Sequence, residues 1–417
     1  MIYSKIRKIS YKFNYIIIKN FLNILFLVTV FGINNLYSQD TGKTIRDSAS
    51  IKIKNQKNIP IDTGFYIRSN DGQSYLQIYG SLRLNGAYDL NGLQSEPTFS
   101  TFDIVTGNEK IDNRFFMAPY QTRFGINAKL MTTLGIFNLK LETDFFGEGN
   151  AFRIRHAYGA GYNFLIGQTW SVFGDPKSIP ITVDPDGPNS SVNERTIQLR
   201  YQPFNEKYIW AIAIESPRPD IATTDSTQPE LAFQSFPDIT SMISIAGGWG
   251  HVRFSGVLRS ITVKNSDESQ SVLAGYGGLI SSKFDLSKTY RIYFQFTGGK
   301  GISRYIRGLT GKGQDVAYDE QNKTNELLPA FGGYICGWHE WLKMFSTSVT
   351  LGLLRILNKD FQPQSSFKAS YYFSFNTFFS FIRPGRIGIE YNYGRRIDKD
   401  GGTGTANRVS FIGIVDF

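Results

Sequence analysis

Val409-Ser410-Phe411-Ile412-Gly413-Ile414-Val415-Asp416-Phe417 closes the chain. Period two puts Phe411, Gly413, Val415 and Phe417 on one face of a strand that runs to the last residue. A soluble domain has little reason to end on a bare aromatic in mid-strand, because termini ordinarily fray. The same alternation recurs upstream. In Leu76-Gln77-Ile78-Tyr79-Gly80-Ser81-Leu82-Arg83-Leu84-Asn85 every second residue is apolar or glycine, and the opposite set includes Ser81, Arg83 and Asn85. Arg123 to Leu130, Phe137 to Phe145 and Arg386 to Tyr393 repeat the pattern; the polar face of the second carries Lys140, Glu142 and Asp144.

Composition shows which kind of β protein this is. Of 417 residues, 15% are aromatic (34 Phe and 23 Tyr among them), 41 are Gly, and only 41% are hydrophobic. The mean hydropathy is -0.22. Beyond the N-terminus there is no apolar run of about 18 residues that would cross a bilayer as a helix. Aromatic and glycine enrichment without such runs suits a transmembrane β-barrel, whose membrane signal is spread over many short strands. A soluble sandwich also alternates. The number of strands, and their frequent ending in aromatics such as Tyr208, Trp210, Tyr371, Tyr372, Tyr391 and Tyr393, favour interfacial girdles instead.

The N-terminus is read as an address. Lys5, Arg7, Lys8, Lys12 and Lys19 form a basic region, Phe21 to Ile33 an apolar one, and Leu36-Tyr37-Ser38 precedes Gln39 at a plausible cleavage point. Asn20, Asn23, Asn34 and Asn35 speak against an uncleaved anchor helix. Loss of those five cations lowers the net charge from +10 to +5, a mild excess without a clustered basic motif, and nucleic acid is not an expected partner. The expected organisation is a signal peptide over 1–38, a polar arm over 39–70 and the barrel over 71–417. Roughly 340–350 residues, at about 20–22 per strand and connection, give about sixteen strands, with eighteen as the nearest alternative. Asn91-Gly92 suits a tight turn. The stretches 217–239 and 310–328 are read as long loops, and 358–360 and 398–404 as shorter ones.

Nothing in the chain has a catalytic pattern. His156, His251 and His339 are far apart and lack metal-ligand spacing, no Gly-x-Ser-x-Gly occurs, and no cofactor is implied. Cys336, the single cysteine, permits no internal disulfide and is read as a small hydrophobe.

The segment 140–201 is the richest. Phe152-Arg153-Ile154-Arg155-His156-Ala157-Tyr158 places Arg153 and Arg155 on one face, and with Phe152 and Ile154 toward lipid both guanidiniums point into the lumen. Facing lipid near the midplane, each would cost about 2–4 kcal/mol. Arg195 and Arg200 follow a Pro/Gly/Asp loop. The runs Thr122-Arg123-Phe124-Gly125, Glu142-Thr143-Asp144-Phe145-Phe146-Gly147, Phe152 to Tyr158, Gly167-Gln168-Thr169-Trp170-Ser171 and Gly187-Pro188-Asn189, in that order, resemble the DcaP-like porin family over roughly residues 75–202. The resemblance implies a homotrimeric outer-membrane barrel with a narrow positive pore for small anionic solutes such as dicarboxylates, set among outer-membrane lipid and lipopolysaccharide. Better-known members carry an N-terminal coiled coil, of which this polar arm shows no heptads. The terminal strand likewise resembles the signal, ending here in Phe417, by which barrel-assembly machinery recognises its clients.

The residues agree in sign. Arg83, Arg123, Lys129, Lys140, Arg153, Arg155, Arg200, Arg253 and Arg259 are lumen candidates, with Arg195 beside them; Glu142 and Asp144 are the acids that stand out. Rings of Arg and Lys favour anions. Facing acids and bases would instead make a transverse field, and individual arginines can simply hold the wall or an inward loop. Three functions remain open at this point: a porin for small anions, a general or phosphate-preferring porin, and a non-conducting structural or adhesive barrel.

Overall fold

The computed structural model describes residues 64–417 except 95–96, 108–110, 134, 204, 206, 222–230, 265–269 and 383. The expected signal peptide and most of the expected arm lie outside these residues.

The strand β9 (Tyr208–Glu215) shows why the chain folds as it does. Tyr208, Trp210, Ile212 and Ile214 are exposed on one face, while Ala211, Ala213 and Glu215 are buried on the other. A strand with an apolar outside and a polar or small inside cannot sit in a water-soluble sheet, but it can in a barrel wall whose outside is hydrocarbon. Closure follows from pairing. After the short β1 (Phe65–Arg68) comes β2 (Tyr75–Asn91). On one side β2 pairs with β3 (Arg114–Ala118) and β4 (Arg123–Thr132), which are two halves of one stave interrupted at 119–122. From there antiparallel neighbours run through β5 (Gly135–Asp144), β6 (Arg153–Gly161), β7 (Phe164–Trp170), β8 (Arg195–Tyr201) and β9. The next stave is β10 (Leu231–Phe233) with β11 (Asp238–Gly247), followed by β12 (Gly250–Lys264), β13 (Gln270–Asp285) and β14 (Tyr290–Lys300). A small separate hairpin, β15 (Val316–Asp319) and β16 (Thr324–Leu327), interrupts the series. The wall then resumes with β17 (Pro329–Leu342), β18 (Phe345–Ile356), β19 (Phe367–Ile382), β20 (Gly385–Asp398) and β21 (Thr403–Asp416), and β21 pairs back onto β2. Sixteen staves thus close an antiparallel barrel, as the length arithmetic expects.

At the seam Phe417 is held as a strand residue. Its N–H donates to Gly80 O at 2.9 Å and its carbonyl accepts from Gly80 N at 2.9 Å. Its ring lies over Gly80, where a Cβ would come within 2.3 Å of it. Higher up the seam, fully buried Arg408 on β21 grips Asp89 on β2 with Nε at 2.5 Å and Nη2 at 2.9 Å, and Arg114 on β3 reaches the same carboxylate at 2.8 Å.

One end of the barrel carries tight connections such as 162–163, 248–249 and 343–344; the other carries 92–113, 171–194, 216–230 and 301–328. Tyr162 and Asn163 both take positive φ, the geometry of a two-residue hairpin turn. Four expectations are corrected. Strand β2 runs through Asn91, so Asn91-Gly92 opens a long loop instead of making a tight turn, with Gly92 at φ +70°. The stretch 217–239 contains β10 and the start of β11, because Asp238 and Ile239 still have partners on β9. The stretch 310–328 carries the β15–β16 hairpin. Of the aromatics assigned to girdles, Tyr208, Trp210 and Tyr371 are exposed outward, but Tyr372 is buried inside, where its hydroxyl accepts from Asn392 Nδ2. Cys336 is fully buried beside Tyr293 and Trp338.

Among the described residues, three long loops pack inside the barrel: 92–113, whose Thr101 Oγ1 meets Ser370 Oγ at 2.7 Å, together with 171–194 and 301–328. In 171–194 the loop hydrogen-bonds inward-facing side chains of successive staves: His251 Nε2 to Asp175 at 2.7 Å, Gln295 Nε2 to Ser178 Oγ at 2.9 Å, Tyr334 Oη to Ser178 O at 3.1 Å, and Asn376 Nδ2 to Ile181 O at 3.1 Å. The 301–328 loop packs against it. Ile302, Tyr305, Ile306 and Leu309 are fully buried with Phe173 and Val192 of the first loop and with Leu354 and Ile356 of the wall.

Candidate functional site

A bulge aims the richest segment. Across β5 and β6, Glu142 faces His156 and Thr143 faces Ile154, so Arg155 is an extra residue in β6. The bulge lets two consecutive side chains, Arg155 and His156, turn inward, each 8% exposed, while Ile154 stays outside at 51%. Arg155 then donates from Nε to Glu142 Oε1 and from Nη1 to Asp144 Oδ2, both at 2.8 Å. Arg153 is bidentate on Asp144, at 3.0 and 2.7 Å. Glu142 also accepts from Tyr79 Oη at 2.8 Å and lies 3.6 Å from Lys140 Nζ, which sits over the Tyr79 ring. Both acids are therefore saturated by cations of their own wall and offer no opposing face for a transverse field.

Other cations form no ion pair among the described residues, although Asp416 lies within Coulomb reach of Arg83 and Glu215 of Arg200. Arg83 donates to Ser81 Oγ at 2.9 Å and Gln121 Oε1 at 3.3 Å. Arg200 donates to Gln198 Oε1 at 2.9 Å and Trp170 O at 2.6 Å. Arg123 and Arg195 each keep a buried Nε without a protein partner. Arg123 lies within Coulomb reach of Arg83 and Arg155. Arg195 heads β8, its guanidinium stacked 3.7 Å above the Trp170 ring and within reach of Arg155, Arg153, Arg123 and Arg307. So β2, β4, β5, β6 and β8 bring Arg83, Arg123, Lys140, Glu142, Asp144, Arg153, Arg155 and Arg195 onto one inner patch, and Arg200 sits below them on β8. Seven cations share the wall with two acids. Lys129 lies apart, paired in register with Tyr75 toward the tight-turn end.

Two candidates serve a different end. Arg259, its side chain wholly buried, is bound to Asp315 at 2.7 Å and to Asp238 at 3.3 Å, and donates to the Gly301 carbonyl. Arg253 donates to Ser255 Oγ at 3.1 Å and to the Val172 carbonyl. Both tether loops to the wall. The histidines are also accounted for: His156 pairs with Thr169 Oγ1 at 2.9 Å, His251 holds Asp175, and His339 stacks on Tyr290 at 3.9 Å. Among the described residues no His/Cys/Asp/Glu group could hold a metal.

The Gly187-Pro188-Asn189 run is a junction of loops. Asn189 Oδ1 accepts from Thr101 N at 2.7 Å, and its Nδ2 donates to Phe99 O at 2.9 Å. Asp184 accepts from Phe99 N at 2.7 Å. Burial, with the neighbouring carboxylates Asp186 and Glu390, pushes the Asp184 carboxyl up to about 7, against the pull of Arg408. Sequence reading missed this junction, the Trp170 stack and Arg307, because each depends on residues from distant loops.

The family model described as DcaP outer membrane protein matches residues 2–417. The chain belongs to the DcaP outer membrane protein family. Among solved structures, this DcaP-family barrel is similar to the outer membrane channel DcaP of Acinetobacter baumannii, with TM-score 0.72 and 20% identity over 85% of this chain and 100% of that one. It is also similar to an anion-selective porin from Comamonas acidovorans (TM-score 0.57, 8% identity, 82% and 100% covered). OmpT, an outer membrane protein of Vibrio cholerae, aligns with TM-score 0.53 at 9% identity over 84% and 99% of the two chains. No curated protein matches. The family match extends well beyond the 75–202 region whose motifs carry the resemblance in sequence. Family and fold together describe an outer-membrane protein of porin architecture.

Proposed function

We propose that this DcaP-family barrel is a diffusion channel, not an enzyme, that passes small hydrophilic solutes with a preference for anions, dicarboxylates among them. One observation carries the reading: on the inner patch six cations, with Arg200 below them, share the wall with two carboxylates that are already bonded to their own neighbours, so the net field offered to a passing solute is positive. An unpaired guanidinium in a water-filled lumen can exchange its hydration for a carboxylate in bidentate fashion. The anion-selective porin of similar fold supports the sign. The same reading has the protein exported with a cleaved signal peptide, recognised through Phe417 by barrel-assembly machinery, and assembled as a homotrimer among outer-membrane lipid and lipopolysaccharide.

The test is conductance of the refolded mature protein in a planar bilayer under a KCl gradient. A reversal potential of anionic sign, with succinate blocking chloride current more strongly than phosphate does, is the expected result. Stronger competition by phosphate would give the phosphate-preferring porin, and folded protein that does not conduct would end the channel reading.

A further inference from the structure

The 171–194 and 301–328 loops pack on each other inside the barrel, and among the described residues one ion pair joins them. The 301–328 loop is knitted to 171–194 by backbone: Arg307 N donates to Ser191 O at 2.8 Å, Gly308 N to Asn189 O at 2.7 Å, and Val192 and Ile306 form an isolated bridge. At Gly308 the two backbones are so close that a Cβ would lie 2.9 Å from Asn189 O. The far side of the same loop is pinned to the wall through Asp315: Ser303 Oγ donates to it at 2.7 Å and Arg259 at 2.7 Å, while Tyr305 Oη donates to Asp238 at 2.7 Å. Arg307 is therefore held rigidly. Its Nε donates to Asp186 Oδ1 at 2.8 Å, and its Nη2 bonds the same oxygen. Its side chain keeps 25% exposure and that of Asp186 12%, so the pair is not sealed away.

Arg307 also lies within Coulomb reach of Arg195, the stacked arginine of the opposite patch. No hydrogen bond among the described residues joins the two loops to the side chains of Arg123, Arg153, Arg155 or Arg195; the first loop reaches this wall through Val183 O, which accepts from Gln121 Nε2 at 3.4 Å, while Gln121 Oε1 accepts from Arg83 at 3.3 Å. The acid of the loop junction is turned onto a loop arginine.

We infer that the Asp186–Arg307 pair sets the strength of the positive field in the passage: Asp186 masks a guanidinium that would otherwise add to the arginine wall, making it a selectivity-determining residue on the loop side. The inference rests on the channel reading above. Glu194 and Asp184 are the other acids acting on Arg307, and neither is hydrogen-bonded to it. Loss of the Asp186 charge leaves one more free cation in a confined, low-dielectric space where ionic fields extend across the opening; loss of Arg307 leaves a free carboxylate there.

The experiment compares Asp186→Asn, Arg307→Gln and the double variant with the wild type, all in the full mature chain, by reversal potential in a KCl gradient. Asp186→Asn, which keeps the shape of the side chain, should raise the chloride-over-potassium permeability ratio on the order of twofold. Arg307→Gln should lower it by a similar factor, and the double variant should return to the wild-type value. Conducting channels in which Asp186→Asn leaves the ratio unchanged, or in which the double variant keeps the shift of either single one, would overturn the proposal. Should Arg307→Gln fail to fold, Asp186→Asn alone still decides it. The underlying reading is tested separately: a wild type that reverses with cationic sign removes the anion preference, yet the direction of the Asp186→Asn shift still reports on the pair.

Discussion

Arginines on the two sides of this barrel lead different lives. On the β12 side, Arg259 has no exposure and is closed in by Asp315, Asp238 and the Gly301 carbonyl, holding a loop to the wall. On the β4 to β8 side, Arg123 and Arg195 keep unsatisfied nitrogens and carboxylates are too few to neutralise them. The residue type is the same; the number of acids delivered by distant segments differs. A fully paired guanidinium is a structural rivet whose removal strands buried charge, whereas one without an acid contributes little to stability and keeps its field for solutes.

The largest expected effect breaks the riveted side. Arg259→Ala leaves Asp315 without its cation and Asp238 with Arg304 alone at 3.4 Å, and should cost about 3–5 kcal/mol, as loss of one partner from a buried pair does. The heat-modifiable band shift should then occur at a clearly lower temperature. An unchanged midpoint would mean that this cluster does not hold the 301–328 loop.

A pair of double variants sharpens the comparison within the open side. Arg123→Gln with Arg195→Gln removes two cations that have no acid, and should reduce anion preference with a stability change within about 1 kcal/mol. Arg153→Ala with Arg155→Ala removes as much positive charge but strands Asp144 and leaves Glu142 with Lys140 and Tyr79 alone, so it should cost both selectivity and thermal midpoint. Equal midpoints for the two would show that the bonds to Glu142 and Asp144 contribute nothing measurable. Unchanged selectivity in both would place the narrow zone elsewhere.

The smallest effect concerns pH at the loop junction. Asp184 sits at about 7 against about 3.9 for an ordinary aspartate. A carboxyl raised on folding contributes stability that is fully present below the unfolded value and is lost as pH rises through the folded one. The contact of the 92–113 and 171–194 loops should thus loosen between about pH 4 and 7, seen as faster exchange of the Phe99 amide at pH 8 than intrinsic rates explain. Asp184→Asn should flatten that dependence; a dependence that survives it would assign the titration to a neighbour such as Asp186 or Glu390.

Much of the architecture was legible because it is written locally. Alternation in Leu76 to Asn85, in Phe137 to Phe145 and in the terminal strand reports which face meets hydrocarbon, and each strand must carry that pattern by itself. Where a feature depended on remote partners, reading failed. Asn91-Gly92 has the composition of a turn, but Asn407 and Arg408 hold the strand in register past it. Tyr372 resembles a girdle residue, yet Asn392 and Phe99 draw it inside. Arg259 and Arg195 are indistinguishable as sequence, since the acid that decides the matter for Arg259 lies 56 residues away on another loop.

Alternation and composition alone were enough to read a closed antiparallel barrel of about sixteen strands with a basic inner segment, because period-two patterning is a property of each strand. Which cations lack an acid, how the long loops pack together inside the barrel, and that Asp186 is bound to Arg307 emerged only on folding. Those outcomes turn on ion pairs and hydrogen bonds between segments that meet only after closure, and no local pattern encodes which acid will reach which base.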